Sequence, residues 1–136
     1  MDISDALKTA TSAMRAQGLR LRTISENIAN ADTAPTSPGA DPYRRKVVTF
    51  RETFDRATGA PEVNVQRVVP DTKPFDTRYE PSNPGADASG YVKLPNINPL
   101  MELMDMREAQ RSYSANISVV ESARAMLSRT IDLLKS

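Results

Sequence analysis

Cysteine and histidine are both absent from the 136 residues. Without cysteine there is no disulfide, no thiolate metal site and no thiol nucleophile. Without histidine the commonest general base and the commonest metal ligand are missing. Tryptophan is absent too, aromatics make up 5% of the chain and the apolar fraction is 39%, thin for a core that closes on itself. No uncharged apolar run approaches the length that spans a bilayer. Nor is there an excess of either charge. The 18 basic residues face 17 acidic ones, and the balance holds along the chain, so no segment has the basic surplus that a phosphate backbone calls for. Nucleic acid is excluded as a partner on that ground. The five glycines are scattered and form no phosphate-binding loop. Asp41, Asp71, Asp76 and Asp87 stand in Pro- and Gly-flanked turns, where aspartate bonds its own backbone. The Arg44-Arg45-Lys46 run reads as a solvated strand edge that blocks edge pairing. No catalytic constellation emerges, and neither an enzyme activity, a metal nor a cofactor is expected.

The two ends of the chain carry helical seams. From Asn98 onward, Leu103, Met106, Gln110, Tyr113, Ile117, Val120, Arg124, Leu127, Ile131 and Leu134 recur in alternating steps of three and four, the spacing of an apolar line on one helix face. Asn98 is placed to cap this helix and Pro99 to occupy its first position. From residue 2 onward, Ile3, Leu7, Ala10, Met14, Gln17, Leu21, Ile24, Ile28 and Ala31 repeat the pattern, with Asp2 or Ser4 as cap. Gly18 is the weak helix former of that segment, costing about 1 kcal/mol against alanine. The two helices are expected to form an antiparallel, coiled-coil-like pair. Each seam has polar intruders: Gln17 in one, Gln110 and Arg124 in the other. Facing Gln17 with Gln110 sets the register and brings Arg124 near Asp2 and Asp5. It leaves Leu127, Ile131 and Leu134 overhanging, in need of cover from other subunits. The alternative is that both glutamines face neighbouring subunits.

Between the helices the composition changes. Nine of the 10 prolines and most of the aromatics lie in this stretch. Residues 33–42 form a loop. Residues 43–52 and 62–69 are strand candidates, and residues 75–79 and 91–94 are shorter ones. The expected class is α+β, in three segments: an N-terminal axial helix (1–33), a β-rich middle module with Pro-rich loops (34–97) and a C-terminal axial helix (98–136). A β module of this size is marginal alone and leans on the helices or on neighbours.

Asn27-Ile28-Ala29-Asn30-Ala31-Asp32-Thr33, at the end of a heptad helix, resembles the signature of the bacterial flagellar rod and hook axial proteins. Tyr43-Arg44-Arg45-Lys46-Val47, the stretch Pro84–Asn98 with Gly90, Tyr91, Val92, Pro95 and Asn96, and the run Met104–Asn116 resemble its short, proximal-rod members. The resemblance covers both helices and most of the middle and carries nothing over for residues 53–75. It implies a structural subunit that assembles helically into the drive shaft of the motor, in the basal-body rod across the periplasm. The implied partners are other copies of the chain, other proximal-rod proteins, the adaptor at the export gate and MS ring, and the flagellar type III export apparatus. Export is then expected without a cleaved signal, and the acidic start Met1-Asp2-Ile3-Ser4-Asp5 has no Sec-type apolar region. Both seams are the expected assembly interface. The reading from another class is an exported coiled-coil adaptor or regulator with a small β insertion.

Overall fold

The structure, a computed structural model, describes residues 2–135; Met1 and Ser136, the outer ends of the expected helical segments, lie outside the described residues. The fold is α+β, with two long helices packed together and two small sheets between them in sequence. Helix α1 runs Ile3–Ala29 and α2 Pro99–Lys135; the strands are β1 (Lys46–Phe54), β2 (Pro61–Pro70), β3 (Asp76–Tyr79) and β4 (Tyr91–Leu94). At 37 residues, α2 is roughly 55 Å long.

Local chemistry accounts for the ends of the elements. Asp2 caps α1: its Oδ1 accepts the Ile3 N–H at 2.6 Å, and its own N–H donates to Asp5 Oδ2 at 3.1 Å, a reciprocal arrangement that uses two otherwise orphaned donors. At the other end of α1 the Asn30 carboxamide donates back to the Glu26 carbonyl at 2.8 Å. Asn98 Oδ1 accepts the N–H groups of Leu100 and Met101 at 3.1 and 3.4 Å, with Pro99 in the position where its missing donor is harmless. β1 pairs with β2 and β3 with β4; the second pair is antiparallel, from Asp76 opposite Leu94 to Tyr79 opposite Tyr91. β1 begins later than the 43–52 expectation: the Arg45 N–H is taken by Asn96 Oδ1 and both backbone groups of Lys46 by the Asn27 side chain.

The chain divides into two compact units. The first comprises Met1–Leu21, Val48–Arg67 and Arg107–Ser136. Its buried apolar side chains are small: Ala10, Ala16, Ala60, Ala109 and Ala123. Thr9 Oγ1 donates to the Pro61 carbonyl at 2.7 Å, and Ser12 Oγ accepts the Val63 N–H at 3.0 Å, so helix hydroxyls hold the outer edge of β2. Lys8 pairs with Asp55 at 3.3 Å and Arg20 with Glu108 at 3.7 Å. The second unit comprises Arg22–Val47 and Val68–Met106. It buries Ile24, Val92 and Ile97 together with three polar side chains, Thr23, Asn27 and Glu102. No helix of the described residues is long and apolar enough to cross a membrane.

Two glycines of the second unit are sterically required. Gly90 turns the chain into β4 at φ 83°, and a Cβ there would stand 2.8 Å from Tyr79 Cε2. At Gly85 a Cβ would stand 2.2 Å from the Pro35 carbonyl oxygen. Gly18, inside α1, has nothing within 4 Å of that position. Gly90→Ala should therefore lower stability by about 1–3 kcal/mol, and Gly85→Ala should also destabilise, because backbone must move. Gly18→Ala should raise stability by about 0.5–1 kcal/mol. Urea denaturation of the three purified variants, followed by circular dichroism, checks the signs.

Candidate functional site

A buried polar hub organises the second unit. The Asn27 carboxamide, 1% exposed, uses every donor and acceptor it has. Its Oδ1 accepts the Lys46 N–H at 3.0 Å and the Tyr43 hydroxyl at 3.2 Å; its Nδ2 donates to the Lys46 carbonyl at 2.9 Å and to Glu102 Oε2 at 3.2 Å. Gripping both backbone groups of Lys46, Asn27 takes the place of a neighbouring strand at the first residue of β1. Glu102, also 1% exposed, accepts from Arg45 Nε through its other oxygen. Arg45 extends the hub to Asp71 at 3.2 Å and Asp105 at 3.5 Å, while its backbone N–H donates to Asn96 Oδ1 at 2.8 Å. Arg44 donates to the carbonyls of Asp71 and Lys73, both at 2.9 Å, and lies 4.1 Å over the Phe75 ring.

The charges of the hub are held in place electrostatically. Burial opposes the Arg45 charge, but hydrogen bonds and attraction from Glu102 and Asp71 more than offset it and raise the pKa above its ordinary value. The Lys73 N–H, 3.0 Å from Asp71 Oδ1, and then Arg45 hold the Asp71 carboxyl below the usual carboxylate range. Burial raises the Tyr43 pKa, keeping its hydroxyl a donor to Asn27. Among the described residues no group of His, Cys, Asp and Glu could hold a metal ion.

The seam residues are distributed unevenly. On α1, Ile24 is buried and Ile3, Leu7, Met14, Gln17, Leu21 and Ile28 are half-buried. On α2, Met106, Tyr113, Ile117 and Val120 are half-buried, while Leu103, Gln110, Arg124, Leu127, Ile131 and Leu134 are exposed. The fully buried positions of α2 are Glu102, Ala109 and Ala123, each one residue before an expected seam position. The contacts between the helices fall close to, but not on, the expected partners. Facing Gln17 with Gln110 sets Arg20 against residue 107 and Asn27 against residue 100; the structure sets Arg20 against Glu108 and Asn27 against Glu102. Gln110 points to solvent, and Gln17 Oε1 is buried without a hydrogen-bond partner, so the glutamine pairing is not made. Among the described residues no ion pair joins Arg124 to Asp2 or Asp5; the Asp5 carboxylate serves the cap of α1.

Of the motif residues, Asn27, Gly90, Val92 and Pro95 are buried, Ile28, Asn30 and Asn96 half-buried, and Ala29, Asp32, Thr33 and Tyr91 exposed. Arg45, expected on a solvated edge, is instead the cation of the hub, and Glu102 and Asp71 had no assigned ionic role. A signal for Glu102 was present. It stands seven residues before Ala109, which is seven before Asn116 and fourteen before Ala123, so it heads a line of small side chains.

Comparison with known proteins places these features in context. The family model "Flagella basal body rod protein" matches residues 7–34, and "Flagellar basal body rod FlgEFG protein C-terminal" matches residues 88–133. The chain is 49% identical over 134 residues to the flagellar basal-body rod protein FlgC of Agrobacterium fabrum, covering 98% of this chain and 96% of that one. Identity to FlgC of Salmonella typhimurium is 38% over 133 residues, 98% of each chain, and to FlgC of Bacillus subtilis 32% over 145 residues, 96% and 97%.

The hub makes two predictions. Arg45→Ala leaves the Glu102 carboxylate buried and uncompensated, and should cost about 3–5 kcal/mol in urea denaturation at pH 7. Asp71 titrates lower in the folded chain than in the unfolded one. It therefore stabilises the fold above about pH 3.9, and that stability goes as pH falls through the lower folded-state value. Asp71→Asn should reduce stability at pH 7 and make the loss between pH 5 and pH 2 shallower. Asp55 and Glu80, also held low, keep part of the slope.

Proposed function

The chain belongs to the FlgC family of flagellar basal-body rod proteins, and we propose from that premise that it is a structural subunit of the proximal rod. It assembles helically with other copies of itself and with other proximal-rod proteins, contacts the adaptor between export gate and MS ring, and transmits motor torque rather than performing catalysis. It reaches the periplasm through the flagellar type III apparatus without a cleaved signal. The helical segments 1–33 and 98–136 carry the assembly interface, and the module 34–97 joins them.

The observation that supports this reading is the apolar surface that α2 leaves in solvent. Leu127 is 38% exposed and Leu134 83%, and they continue the line of Met106, Tyr113 and Val120 without a break; Ile131, 50% exposed, stands beside them in the series of Leu103. Leu103, at 48%, lies on the adjoining flank. A helix end that keeps its seam spacing while every residue of 124–135 is exposed is suited to burial against another chain.

Ile131→Asp tests the reading. The substitution touches an exposed site, so the purified chain should denature within about 0.5 kcal/mol of wild type. In a deletion strain it should nevertheless fail to restore rods or swimming; normal swimming would overturn the assignment of this surface. Mass spectrometry of purified basal bodies should find residues 2–10 in the assembled subunit, and a mature N-terminus beyond residue 15 would contradict export without cleavage.

A further inference from the structure

Two seven-residue series lie side by side on α2. One is Glu102, Ala109, Asn116 and Ala123; the other is Leu103, Gln110, Ile117, Arg124 and Ile131. They share the line Met106, Tyr113 and Val120. The first series is buried or half-buried, and the second is exposed except for the half-buried Ile117. Apolar content alone would choose the opposite, since one leucine and two isoleucines outweigh two alanines. The arrangement also carries a polar defect: Gln17 Oε1 is buried without a partner while Gln110, which has an amide to donate, is in solvent. Some other interaction must set the rotation of α2 about its axis.

We propose that Glu102 is the positioning residue that sets it, and that it thereby holds the Leu103–Ile131 series outward for neighbouring subunits. Both carboxylate oxygens of Glu102 are engaged, one by Arg45 Nε and the other by Asn27 Nδ2. Neither donor is free to follow a moving helix. Arg45 is anchored by its backbone N–H on Asn96 and its guanidinium on Asp71, and Asn27 by the backbone of Lys46. Rotating α2 by one residue, roughly 100°, would carry the carboxylate away from both donors and leave an amide and a guanidinium without their acceptor. A buried charge that is paired adds little net stability, but a buried polar contact can fix the register of a helix. Because the helix is continuous, the direction chosen at Glu102 is inherited seven residues later at Ala109 and again at Asn116 and Ala123. The more apolar series is then left for intermolecular burial. This last link rests on the assembly reading; the rotational lock does not.

The absence of native cysteine allows a direct test. Single cysteines are placed at Ala109 (Ala109→Cys) or Gln110 (Gln110→Cys), in the full chain and in an Arg45→Met/Glu102→Leu background that removes both members of the ion pair together, so that no charge is left at position 102. Thiol labelling of the isolated chain is then followed. With the hub intact, the thiol at 109 should react slower than that at 110 by about tenfold or more. In the double variant the order should invert, with 110 protected and 109 reactive. Protection retained at 109 would overturn the lock. Rapid labelling at both positions would also overturn it, because the hub would then hold the fold together rather than choose the rotation. The measurement needs no assembly, so its failure is distinct from failure of the Ile131→Asp test, which bears on the rod surface itself.

Discussion

A fully buried carboxylate, Glu102, and a half-buried guanidinium, Arg45, meet at the centre of the second unit. Isolated, either charge would be costly to bury; together, with Asn27, Asp71, Asp105 and Asn96 around them, their lone pairs and donors are occupied. Much of the second unit depends on that pairing. It joins the end of α1, the entry to β1, the loop after β2 and the first turn of α2. Asn27 adds a backbone-like hydrogen-bond pair to Lys46, so the strand starts where the helix side chain lets it start.

The first unit is built on different physics. Its interior is lined with alanine, and small side chains let backbones approach closely. The hairpin of β1 and β2 is tied to α1 by hydroxyl groups acting on backbone donors and acceptors and by the Lys8–Asp55 ion pair. Such a unit gains less from burial per residue than a leucine-rich core would. The large apolar side chains Val119, Met126, Leu127, Ile131, Leu133 and Leu134 stand outside. For a flagellar rod subunit this distribution has a plain physical sense: apolar area kept out of the intramolecular core is available to stabilise contacts between chains.

The elements were legible because their causes are local. Asp2 and Asn98 cap the helices they precede, Pro99 takes the first turn, the three-four spacing of apolar residues marks both helices, and four strands occur where β-branched and aromatic residues cluster between prolines. The absence of cysteine and histidine, and the even charge, restricted the chemistry before any fold was known. The flagellar signature at residues 27–33 and the stretches after it carried the family. What the residues could not specify alone was the rotation of α2. Leu103, Gln110, Ile117 and Arg124 satisfy the heptad spacing as well as Glu102, Ala109, Asn116 and Ala123 do, and with the more apolar pattern. The choice between them lay with Arg45, 57 residues from Glu102 along the chain, in a basic run that reads locally as solvated edge. Periodicity reports which residues share a helix face. Which face turns inward is decided by partners that only the tertiary fold brings together, and a buried charge is tolerated only where those partners have arrived.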